Sequence, residues 1–92
     1  MITAIVMIKA EVDRIPEAGE AIAALDGVVE VFSVTGEWDL IAIVKVPEHE
    51  ELAELIPGRL NKVSGVLHSE THIAFRAYSS SDLDAAFALG LD

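Results

Sequence analysis

Residues 28–46 read VVEVFSVTGEWDLIAIVKV, and this stretch decides the fold. Val28–Thr35 is rich in β-branched and aromatic residues, and Leu40–Val46 is a second, more apolar run ended by Pro47. Both therefore read as strands. The four residues between them, Gly36-Glu37-Trp38-Asp39, make a connection of hairpin length, so the two strands are expected to pair antiparallel. Within the second strand, Leu40-Ile41-Ala42-Ile43-Val44 is apolar at both parities. A strand with one wet face alternates; this one wants cover on both.

Working toward the N-terminus, Asp26-Gly27 ends a helix whose apolar positions Ile15, Ala18, Ile22 and Leu25 recur at helical spacing. Asp13 is the expected N-cap, and Pro16 falls in the first turn, where its missing N–H costs little. Before it, Ile2–Ala10 reads as a strand with every even position apolar. Working toward the C-terminus, Glu48–Val63 places Leu52, Leu55, Ile56, Leu60 and Val63 on one helical face, with a kink or restart expected at Pro57. Ser64-Gly65 is a turn, and Val66–Tyr78 is a fourth, more polar strand. Asp82–Leu89 reads as a short helix capped by Ser81.

The order β-α-β-β-α-β predicts an α+β fold, the ferredoxin-like sandwich: a four-stranded antiparallel sheet with two helices on one face. Strands one and three should be central and strands two and four edges, as their apolarity suggests. Residues 1–78 form the predicted domain and residues 79–92 a C-terminal extension.

Hydrophobic residues make up 52% of the 92-residue chain, more than a domain this small can hide within itself. The two helices cover one sheet face only. A homodimer packed sheet against sheet is the expected solution; the alternative is that the C-terminal segment folds back over the open face. A net charge of −10 with six Lys and Arg argues against direct nucleic-acid binding and against anionic membranes. With zero Cys, disulfides and thiol chemistry are excluded. There is no secretory signal and no apolar stretch of membrane-spanning length, so a cytoplasmic location is expected.

Catalytic patterns are lacking: there is no phosphate-binding glycine loop and no nucleophile elbow. His68 and His72 share one face of a strand but stand about 13 Å apart along it, too far to share a metal. Glu48, Glu50, Glu51 and Glu54 suit a helix N-terminus, where they favour the dipole. No enzyme activity, cofactor or metal is expected. The turn Gly36–Asp39 holds the only Trp, a glycine and two carboxylates. It reads equally as ordinary hairpin chemistry, with Gly36 at positive φ, Asp39 bonded within the turn and Trp38 capping the core, or as a small-molecule pocket.

Val31–Leu40, with its Thr35-Gly36-Glu37-Trp38-Asp39-Leu40, resembles the "tGxxDl" hairpin of the Lrp/AsnC ligand-binding (RAM) domain. Gly65-Val66-Leu67-His68-Ser69-Glu70-Thr71 is similar to that family's "pGV" turn and Thr-x-Thr strand, with Ser64 where Pro is usual and Ser69 where Thr is. The resemblance spans about residues 2–76. It implies a transcription-regulation module that forms homodimers through the sheet, assembles further, and binds an effector, an amino acid or a relative of one, where dimers meet. Mapped by motif, the ligand residues are Gly36, Glu37, Trp38, Asp39, Ser69 and Thr71, with Asp39 offered to the effector's ammonium. Because the first strand starts at Ile2, the resemblance is to a stand-alone form without the helix-turn-helix domain, one that acts on itself or through a full-length Lrp/AsnC-type regulator. The rivals are a dimeric ferredoxin-like oxygenase or isomerase, and an assembly module with no ligand.

Overall fold

In a computed structural model, residues 1–80 are described. The elements are β1 (Ile2–Ala10), a 3-10 turn (Val12–Arg14), α1 (Ile15–Ala23), β2 (Val28–Ser33), β3 (Leu40–Val46), α2 (His49–Leu55), a second 3-10 turn (Leu60–Lys62) and β4 (Val66–Ile73). The sheet is antiparallel with order β2-β3-β1-β4, so β1 and β3 are central. This is the ferredoxin-like arrangement expected from the strand apolarity. The helix expected over 82–89 lies outside the described residues.

The core sits between the sheet and the helices. Ala4, Val6 and Ile8 of β1 and Leu40, Ala42, Val44 and Val46 of β3 are buried on that side. They meet Ala18 and Ile22 of α1, and Leu52 and Leu55 of α2. Branched side chains buried to this extent contribute about 1.5–3 kcal/mol each, so this layer supplies most of the domain's stability. The period-two alternation is sharp on β1 and β3, and it leaves Ile5, Met7, Ile41 and Ile43 on the opposite, helix-free face.

Four expected boundaries shift, each for a local reason. Asp13 does not cap α1: a 3-10 turn intervenes, and α1 starts at Ile15 with Pro16 in its first turn and no side-chain cap. β2 stops at Ser33 rather than Thr35, because the Val34 N–H already donates to the Asp39 carbonyl and closes the hairpin. The second helix splits instead of running to Val63. A capping box between Glu48 and Glu51 opens it, it ends at Leu55, and after Pro57-Gly58 the chain restarts as the 3-10 turn that seats Leu60 in the core. β4 stops at Ile73 rather than Tyr78 because β1 runs out: the Ala74 N–H bonds the Thr3 carbonyl at the very start of the sheet, and β1 offers no further residue to pair.

Gly58 makes the split tight. A Cβ there would collide with the Glu54 carbonyl oxygen on the preceding turn. Gly58→Ala is therefore expected to lower stability by about 2 kcal/mol or more, as an overpacked site does. Urea unfolding followed by circular dichroism checks this, and a midpoint equal to the parent's would contradict it.

Candidate functional site

The hairpin between β2 and β3 folds over the end of β1. Gly36 adopts φ +103° with open space around it, so a glycine is needed for conformation rather than for room. The Asp39 N–H donates to the Ile8 carbonyl at 2.9 Å, and the Asp39 carboxylate Oδ2 accepts the Ala10 N–H at 2.9 Å. The Lys9 Nζ adds to this: it donates to the Glu37 carbonyl at 2.7 Å and stands 3.9 Å from Asp39 Oδ2. A charge-assisted bond to a backbone N–H is stronger than a neutral one, so Asp39 is the main tie. The Asp39 side chain thus bonds outside its own turn, against the expectation of a turn-internal bond. Its Oδ2 is committed to β1.

Trp38 does not cap the core. It reaches past β1 to stack on His68 of β4, with ring centroids 5.7 Å apart and planes within 21°. His68 pairs with Lys9 across the β1–β4 ladder, so it lies on the helix-free face. The hairpin thus touches both central and edge strands, with its apex residues Gly36 and Glu37 exposed.

Ser69 and Thr71 face the other way. They pair with Ile8 and Val6, the helix-side residues of β1. The Ser69 hydroxyl donates to Asn61 Oδ1 at 2.6 Å, on the turn that follows α2. Of the six residues mapped from the motifs, the structure gathers Gly36, Glu37, Trp38 and Asp39 in one turn, and sets Ser69 and Thr71 on the opposite side of the edge strand.

Sequence reasoning missed Lys9, Ala10, His68 and Asn61 as partners of these residues. One signal was present: Lys9 is the single charge in the first strand. Also unforeseen was a groove of about 380 Å³ between α1 and β2, lined by Ile15, Pro16, Gly19, Val31 and Leu40 among others. Among the described residues no group of three or more His, Cys, Asp or Glu is placed to hold a metal. No helix among them is long and apolar enough to cross a membrane.

A βαββαβ sandwich with a bare apolar sheet face and a hairpin braced across three strands defines a class of small α+β regulatory domains. The chain belongs to the Lrp/AsnC ligand binding domain family, which it matches over residues 3–83. That family serves transcription regulators and not enzymes. A crystal structure of the Thermus thermophilus protein TTHA0845 is 46% identical, with a TM-score of 0.81 over 86% of this chain and 99% of that one. The crystal structure of FFRP-DM1 is 28% identical, with a TM-score of 0.78 over 82% of this chain and 100% of that one. An uncharacterized HTH-type transcriptional regulator of Pyrococcus horikoshii is 38% identical over 72 residues, 78% of this chain and 48% of its own length. The chain thus spans half or less of the curated regulators it matches.

Proposed function

We propose that this domain is an effector sensor of the Lrp/AsnC type, that its effector is an α-amino acid, and that binding is read out through assembly. The observation that carries the proposal is the braced hairpin. Asp39, Lys9 and the Ala10 N–H fix the turn in place, which leaves the N–H groups of Gly36 and Glu37 exposed at the apex beside an aromatic wall. Preorganised backbone N–H groups suit a carboxylate, and the exposed Glu37 carboxylate suits an ammonium. The Trp38–His68 stack offers a flat surface for a side chain. Asp39 serves mainly as the brace.

Ser69 and Thr71 complete the site from another subunit. Because they face away from the hairpin of their own chain, a ligand touching both groups sits where subunits meet. Among proteins of this fold, a transcriptional regulator from Neisseria meningitidis was crystallised as a complex with L-Met. Dimers form through the bare sheet face, where Ile5, Met7, Ile41 and Ile43 have no helix above them and Phe32 is 46% exposed. The same face suits a regulator that carries a like domain.

Calorimetry against the twenty amino acids tests the ligand class. At least one is expected to bind with a Kd between about 1 μM and 1 mM, with Trp38 emission, from the only Trp in the chain, changing over the same range. No heat and no emission change with any of them at millimolar concentration would remove the amino-acid reading.

A further inference from the structure

The bare sheet face carries a pattern that decides how two copies meet. One row of directly opposed residues crosses all four strands: Glu30 on β2, Ile43 on β3, Ile5 on β1 and His72 on β4. The next row reads Phe32, Ile41, Met7 and Glu70 in the same order. Each row is apolar in the middle, and its two ends are unlike. The first has a carboxylate at the β2 end and an imidazole at the β4 end.

Two sheets packed face to face stand about 10 Å apart, and a two-fold axis between them runs either along the strands or across them. An axis along the strands lays each row over the same row of the partner, reversed. Ile43 then meets the partner's Ile5, and Glu30 meets the partner's His72. An axis across the strands lays β2 over β2. That leaves Glu30 above an apolar side chain, with the partner's Glu30 as its nearest charge. A carboxylate withdrawn from water beside a like charge is destabilising, and one placed on an imidazole is not.

We propose that two copies of this chain associate about a two-fold axis parallel to their strands, with Glu30 of each placed on the partner's His72. The inference rests on the sheet-face dimer described above and adds its orientation and its polar contacts. His72 is prepared for the contact. Its Nε2 already lies 2.7 Å from Glu70 Oε2 on its own strand, which fixes the ring and leaves Nδ1 for the partner's Glu30. The pair also gives the face selectivity, because a similar sheet lacking either end would leave a charge unmatched.

The chain has no cysteine, so Glu30→Cys and His72→Cys each install a single thiol at an exposed position. The two variants are co-expressed and treated with a bis-maleimide reaching about 10 Å, the sheet spacing. The expected product is a cross-linked pair of one Glu30→Cys chain and one His72→Cys chain. Its yield should be about tenfold that from either variant alone, since only the mixed pairing stacks the two positions. Glu30→Cys chains joined to one another as readily would overturn the proposal. So would a lack of cross-links in a sample that light scattering shows to be dimeric. Ile43→Asp separates the two levels: a dimer that survives it removes the sheet-face reading itself. Dissociation by Ile43→Asp together with cross-links between two Glu30→Cys chains removes only the orientation.

Discussion

An Ile43→Asp chain is expected to run as a monomer in size-exclusion chromatography with light scattering, at concentrations where the parent chain is oligomeric. Ile43 lies in the middle of the bare face, opposite Ile5 on β1 and Glu30 on β2. In the isolated subunit a carboxylate there reaches solvent, so far-ultraviolet circular dichroism should change little. Across a sheet-to-sheet seam the same carboxylate is desolvated with no cation facing it, at a cost of several kcal/mol per copy. Two copies per dimer double the penalty, which exceeds what a small interface can absorb. An oligomer of unchanged mass would show that the helix-free apolar residues of β1 and β3 are not the seam.

The second large effect is expected at Asp39. Asp39→Ala removes the acceptor of the Ala10 N–H and the anion beside Lys9. A backbone N–H left unpaired in a partly buried place costs about 1–3 kcal/mol. That loss falls on the hairpin more than on the core, since β3 keeps its ladder with β1 from Leu40 to Val46. The turn then samples other positions, and effector binding loses the preorganisation of the Gly36 and Glu37 amides. Affinity is expected to fall by about tenfold or more while the unfolding midpoint falls modestly. Full affinity in Asp39→Ala would show that the brace is not what holds the site.

The central strands were legible in the sequence, and their legibility has a cause. β1 and β3 match their expected bounds because apolar side chains must line both faces and because Lys9-Ala10-Glu11 and Pro47 end the runs chemically. The face pattern followed from the same residues. What was not legible depended on partners distant in sequence. Phe75, Arg76 and Tyr78 extend the expected β4 because of their strand propensity; the ladder ends at Ile73 only because β1 has no residue left to pair. Apolar spacing likewise carries the expected second helix through Pro57, whereas the turn at Gly58 is set by contact with the Glu54 carbonyl.

The candidate site shows the same division. The composition of the turn Gly36–Asp39 marked it out, and Gly36 at positive φ was foreseen from chemistry alone. The role of Asp39 was not, because its partner Ala10 lies 29 residues away. Nor was the orientation of Ser69 and Thr71. Both parities of β4 carry polar residues, so nothing in its pattern told which parity faces the helices until the register with Val6 and Ile8 was known.

Effector sensing at the braced hairpin is tested most directly by an amide-shift titration of the ¹⁵N-labelled chain with each amino acid in turn. One or more ligands are expected to shift Gly36, Glu37, the Trp38 indole, Ser69 and Thr71 together, with the first three responses lost or weakened in Asp39→Ala. Shifts confined to the groove between α1 and β2, or no shifts with any amino acid, would contradict it.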